Sequence, residues 1–157
     1  MAQPVYLNLV ISGEEVFGES PVTTLEREHS IECSSFELAI AAGVDTSRTG
    51  RTRGPVRIKK RIDRSTAILI RALCRNEEVK TAEFRFFRPK TDTAAEEEHF
   101  YTVLLENARV TSVKQLSEDH LSAGPEAPPM MEEVELMYES ISWTYEIGGY
   151  SHTDTVR

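Results

Sequence analysis

The sequence predicts a mainly β protein, a small two-sheet β-barrel or sandwich carrying one α-helix, and three observations lead there. Apolar residues recur at every second position in runs scattered from Val5 to Ile147. Only one stretch keeps the 3.6-residue period of a helix, and the runs are separated by segments rich in Gly, Pro, Ser and Thr. Roughly seven or eight strands result, enough for a sandwich or a closed barrel. We find no internal repeat. The 157 residues are expected to form a single domain, 1–157, since a chain of this size buries about 70% of its unfolded surface without staples. Long loops are expected at about 42–54, 89–98 and 114–130, with a solvated tail at 148–157.

Val5, Leu7, Leu9 and Ile11 place four apolar side chains on one face of an opening strand that ends at the Gly13 turn. A second strand is expected over Ser30 to Ala41, with a short helical alternative at its end. GVDTSRTGRTRG, residues 43–54, is almost devoid of apolar groups and reads as a long loop. Val56, Ile58 and Ile62 then alternate with Arg57, Lys59 and Arg61, which makes a strand with Lys60 as the one charge on the apolar side.

RSTAILIRALCRN, residues 64–76, is the helix. Asp63, Ser65 or Thr66 can accept from its first-turn amides, and Asn76 suits a left-handed stop. Arg64, Arg71 and Arg75 fall on one stripe, and the remaining arc of apolar residues is wider than packing on one sheet requires, an argument for burial against a second surface. Ala82 to Arg88 and Phe100 to Val113 return to strands, separated by the acidic PKTDTAAEEEH. Residues 114–129 contain Gly124, Pro125, Pro128 and Pro129 and read as a loop without regular structure. In the last run Val134, Leu136 and Tyr138 occupy even positions and Ile141, Trp143, Tyr145 and Ile147 odd ones, so a bulge is expected near Glu139 and Ser140.

Cys33 and Cys74 are expected to be unpaired, small, buried apolar groups. The amino terminus shows no cationic leader or signal-length apolar core, and no run approaches the ~18 apolar residues of a membrane span. A chain made in the cytoplasm, without direct membrane insertion, is expected; a specialised machine can still export it folded.

The chemistry of familiar enzymes is missing from the sequence. No Ser sits in G-x-S-x-G and no Gly-rich run has phosphate-cradling spacing. Ser151, His152 and Asp154 are neighbours on one extended segment and would point apart, whereas a triad converges. His29 with Cys33, and His99 beside Glu96, Glu97 and Glu98, lack a complete metal shell. No catalytic residue, cofactor or metal is expected.

The charge distribution is the feature that asks for a function. Residues 48–64 hold eight cations, Arg48, Arg51, Arg53, Arg57, Lys59, Lys60, Arg61 and Arg64, against Asp63 alone. The segment is therefore +7 in a chain of net charge -8, and the rest stands at -15. Three readings fit: a solvated loop, a contact with an acidic surface of another copy, or a nucleic-acid site. The last lacks the interleaved aromatics of single-strand binders, since residues 37–83 contain none. The second has an acidic counterpart in Glu133, Glu135 and Glu139, and in Glu96 to Glu98.

Four stretches resemble the Hcp family, the haemolysin-coregulated tube proteins of type VI secretion systems: ISGEEVFGES with Gly18, Glu19 and Ser20; HSIECSSFEL; IDRSTAILIRAL; and EEVELMYESISWTY. FYTVLLENARVTSV is similar to a further strand of the family, so the likeness runs collinearly from about residue 5 to 147. Family members commonly have Pro where this helix has Ala67, and Gly where it has Asn76.

The resemblance implies a hexameric ring around an open channel. Rings stack into a tube that a sheath drives outward, a spike caps it, and effector proteins can travel in its channel. It also implies secretion without a cleavable signal peptide, no enzyme activity, and a loop after HSIECSSFEL that reaches beyond its own subunit. The interface residues expected on this basis are Arg48, Arg51, Arg53, Arg57, Lys59 and Arg61, the helical Arg71 and Arg75, and the carboxylates Glu96, Glu97, Glu98, Glu133 and Glu135. A phage-type tail tube of the same architecture, or a nucleic-acid module using 48–64, is the alternative.

Overall fold

The alternating run at the amino terminus forms strand β1, Val5–Ile11, with Val5, Leu7, Leu9 and Ile11 all buried. The computed structural model describes residues 3–43 and 51–156; Arg48 and its neighbours in 44–50 lie outside them. A tight turn leads into β2, Glu14–Val16, and β3 follows at Ile31–Glu37. The second strand therefore stops at Glu37, short of the expected Ala41. A separate strand β4, Ile40–Ala42, pairs with β5, Arg51–Arg53, as a two-stranded ribbon. This corrects the loop expected over 43–54: Arg51 and Arg53 stand on a strand, where ribbon pairing satisfies backbone groups that composition alone assigns to solvent.

Strand β6, Val56–Arg61, buries Val56, Ile58 and, as its pattern predicts, Lys60. Ile62 lies beyond the strand end and is exposed, contrary to the alternation that included it. Helix α1, Thr66–Cys74, packs against β8, Glu97–Leu116, and ends at Asn76 in the left-handed conformation. Ser65 is its N-cap residue and makes no side-chain cap bond; Asp63 orders the turn before it, its Oδ1 accepting from Ser65 N at 2.8 Å. Leu69 and Ala72 enter the core, while Ile70 is half-buried and Cys74 exposed, which corrects the expectation of a buried Cys74. Cys33 is buried, and burial pushes its thiol pKa up.

Strand β7, Val79–Pro89, pairs with β8. Within residues 117–130 a short helix α2, His120–Ala123, and a 3-10 turn at Gly124–Glu126 replace the expected irregular loop, with Asp119 accepting from Leu121 N. Strands β9, Met131–Tyr145, and β10, Tyr150–Thr155, complete the chain. The segment read as a solvated tail is thus an edge strand on β9.

All pairings are antiparallel. The order β9-β6-β3-β1-β7-β8 closes through β8 and β9, giving a six-stranded barrel to which β2 and β10 are appended. Closure removes the free edges that an open sheet presents. The core joins Leu7, Leu9, Ile31, Ile58, Leu69, Phe84, Leu105, Leu136 and Ile141.

The expected change of parity in β9 is present: Val134, Leu136 and Tyr138 are buried, and then Ile141. The β8–β9 register does not shift there, because β8 makes the same change between Leu105 and Ala108 through Asn107 at φ +51°. The register shift occurs instead between Val110 and Ser112. At the parity change Glu139 has no rung to β8, and its carbonyl oxygen faces other donors.

Candidate functional site

The cationic strand lies directly beside an acidic one. In the β6–β9 ladder Arg57 faces Glu135, Lys59 faces Glu133 and Lys60 faces Glu132. Alternation with equal period on two paired strands brings opposite charges together on each face. Arg57 Nε donates to Glu135 Oε1 at 2.7 Å, and its Nη1 lies 3.7 Å from Glu37. Such exposed pairs contribute about 0–1 kcal/mol each and mainly fix register.

On the inner face Lys60 and Glu132 are both fully buried and paired. Lys60 Nζ also donates to Asp63 Oδ1 at 3.0 Å and to the Arg61 carbonyl at 2.9 Å. Thr66 Oγ1 donates to Glu132 Oε2 at 2.7 Å. The cluster therefore ties β6, the start of α1 and β9 together.

The ribbon carries the second charged constellation. Arg51 grips Asp154 of β10 with two bonds, Nη2 to Oδ1 at 2.7 Å and Nε to Oδ2 at 3.2 Å. Arg53 Nη2 donates to the same Oδ2 at 2.6 Å, and its Nη1 to the Glu139 carbonyl at 3.1 Å. The Arg53 guanidinium stands 5.4 Å from the Tyr138 ring centre, and Tyr138 Oη donates to the Gly54 carbonyl at 3.1 Å. Val156 N donates to the Glu139 carbonyl at 2.8 Å, so one carbonyl anchors both ribbon and C-terminal strand.

The bond from Arg53, followed by that from Arg51, holds the Asp154 carboxyl below its ordinary pKa, with partial desolvation opposing them. A carboxyl lowered on folding stabilises fully above its unfolded value, about 3.9, and loses that contribution as pH falls through the folded value. Ribbon attachment is therefore expected to persist at about pH 5 and to fail only in acid stronger than an unpaired aspartate needs. Hydrogen exchange of the β4–β5 amides as a function of pH measures this.

The other expected interface residues are divided. Arg71 donates to Glu77 at 3.0 Å, Arg88 to Glu98 at 3.0 Å, Lys90 to Glu96 at 3.1 Å and Arg27 to Glu97 at 3.0 Å. Among the described residues no ion pair forms on Lys59, Arg61 or Arg75. Sequence reasoning missed Asp154, which it placed in a tail, and the buried cations Arg27 and Arg85. Arg27 stacks over Phe87 at 4.2 Å, and Arg85 donates to the Glu26 carbonyl at 2.8 Å. His152 stacks on Trp143 and His99 Nε2 lies 2.7 Å from Thr102 Oγ1. Among the described residues no three His, Cys, Asp or Glu side chains gather as a metal site, and no helix is long and apolar enough to cross a membrane.

Closed antiparallel barrel, attached ribbon and cross-strand charge ladder together define a small β-barrel protein, one whose ordered polar groups fasten elements to each other. The family model for "Type VI secretion system effector, Hcp" matches residues 6–145, and the chain belongs to the Hcp family. The "Major exported protein" of Pseudomonas aeruginosa is 32% identical over 169 residues, covering 100% of this chain and 97% of the relative. The Hcp1 protein of E. coli EAEC 042, solved as a mutant, superposes with a TM-score of 0.81 at 33% identity over 98% of this chain and 99% of that one. Secreted protein Hcp3 from Pseudomonas aeruginosa shares the fold, with a TM-score of 0.76 at 23% identity and 99% coverage of both chains.

Proposed function

We propose that this chain is the tube subunit of a type VI secretion system: six copies close a ring, rings stack into the exported tube, and effectors travel in its channel. The observation that carries this reading is the match of the entire barrel, end to end, to an exported relative. The chain is made in the cytoplasm and leaves through the apparatus without a cleavable leader, with sheath and spike proteins as further partners. Subunits join within the ring through edge strands and the half-exposed flank of α1. The cationic segment from Arg48 to Arg61, of which Arg51 and Arg53 stand on the ribbon, reaches an acidic surface between subunits or rings, and apolar burial supplies the affinity while charge sets orientation. A contact that closes makes the ring, and one repeated head to tail makes the tube.

A nucleic-acid module is not favoured, because Arg51, Arg53, Arg57 and Lys60 already meet carboxylates of their own chain. Neither is a phage tail tube, given the family match.

Negative-stain images of the purified protein are expected to show rings with a central hole. Arg51→Glu with Arg53→Glu is expected to leave rings and remove most stacks, read by light scattering and microscopy. Stacks equal to those of the parent would sink the role given to the ribbon, and solitary molecules at high concentration would sink the tube.

A further inference from the structure

We propose that Asp154 is an internal competitor for the ribbon: its carboxylate occupies the arginine pair in cis, and stacking requires a carboxylate of another copy to take its place. The inference rests on the reading above that the ribbon meets an acidic surface.

Among the described residues the ribbon is no part of the barrel sheet, since β4 and β5 pair with each other alone. Gly54 N donates to the Ala39 carbonyl at 2.9 Å within its own base. Among the described residues, what fastens it to the barrel is a small set of contacts: three bonds to one carboxylate, one from Arg53 to the Glu139 carbonyl, one from Tyr138 to the Gly54 carbonyl, and the buried Arg53 guanidinium over the Tyr138 ring. A planar guanidinium fork accepts any carboxylate in the geometry Asp154 now adopts. Arg51 is 53% exposed at its side chain whereas Arg53 is 8% exposed, so an incoming anion meets Arg51 first.

Beside the pair lies an open pocket of about 810 Å³, lined by Arg51, Arg53, Met137, Thr153, Asp154 and Val156. That space lets a second carboxylate approach before Asp154 leaves. Exchange of one carboxylate for another keeps both guanidinium charges paired throughout, which removes the cost of exposing them bare. The competitor sits on the last strand, which among the described residues pairs with β9 alone, so one flank of its strand is left unpaired.

The experiment uses the full chain with Asp154→Asn and Asp154→Glu. Trypsin cleavage after Arg51 and Arg53, followed by mass spectrometry on isolated rings, reports whether the ribbon is held. It is expected to rise about tenfold in Asp154→Asn, with the barrel melting transition unchanged, and to stay near parent in Asp154→Glu. Stacking is expected to begin at lower protein concentration in Asp154→Asn. Unchanged cleavage overturns the attachment itself. Faster cleavage with unchanged or weaker stacking overturns the competition and makes Asp154 a simple support. If Arg51→Glu with Arg53→Glu stacks like the parent, the ribbon's place in the interface fails, and the cleavage result for Asp154 still stands separately.

Discussion

Replacing Lys60 by methionine is expected to lower the unfolding free energy by about 3–5 kcal/mol, the largest single effect we anticipate. Methionine keeps nearly the volume of the stem and loses the ammonium. Glu132 would then remain fully buried with only Thr66 Oγ1 donating to it, and its Oε1 already has no hydrogen-bond partner among the described residues. Asp63 would lose one of the donors that hold it before α1, so the turn into the helix weakens together with the β6–β9 contact. Burying an unpaired carboxylate, rather than losing one attraction, is what makes the cost large. The double variant Lys60→Met with Glu132→Leu removes both charges and is expected to recover most of the loss. Urea unfolding of the two variants measures the difference. A single-variant cost below about 1 kcal/mol would show that water reaches Glu132 and that the cluster is not a closed one.

Gly18→Ala is expected to cost about 1–3 kcal/mol for the addition of one methyl group. The new Cβ would lie 2.6 Å from Ile31 Cα and 2.6 Å from the Ser30 carbonyl oxygen. Both obstacles are backbone, so no side chain can rotate away. The same close approach carries two hydrogen bonds, Gly18 N to the His29 carbonyl at 2.8 Å and Ser20 N to the Ser30 carbonyl at 3.1 Å. Relieving the clash therefore strains the seam between residues 18–20 and the start of β3. Gly13→Ala is the useful contrast: its φ is +80° and no atom lies within 4 Å of its added Cβ, so its cost is conformational alone, about 1 kcal/mol. Thermal unfolding of both variants separates contact from conformation, and equal effects would reject the steric argument for Gly18.

The barrel was legible because its strands alternate. Val5 to Ile11, Val56 to Lys60 and Val134 to Ile141 bury the positions that periodicity picks out, and Lys60 stood out in advance as a charge on the wrong face. Strand β10 was not legible, since YSHTDT is exposed at every position but Asp154 and has almost no apolar residues, and an edge strand needs little apolar contrast. Its pairing with β9 is what turns Asp154 towards the ribbon. Charge counting located the cationic segment and its acidic complement but could not say whether they met within one chain. Arg51 and Arg53 find Asp154 about a hundred residues away, a distance over which composition carries no pairing information. The overrun of β8 at both ends was hidden likewise, because Glu97, Glu98, Lys114 and Gln115 look like loop residues until strands beside them supply backbone partners.

Closure of the six-stranded ring has a mechanical result for a chain pushed or pulled along its length. The first strand is paired with β7 from Val5 to Ile11 and, on its other flank, with β3 over Val5–Leu7 and β2 over Leu9–Ile11, so tension on the amino terminus must shear ladders on both sides at once. Tension on the carboxyl terminus first meets β10, which is held by β9 on one side and by the bonds of Arg51 and Arg53 to Asp154, and whose release leaves the cylinder whole. Load therefore reaches the two ends of the polypeptide unequally, with a sacrificial outer strip at one end and a bolted stave at the other.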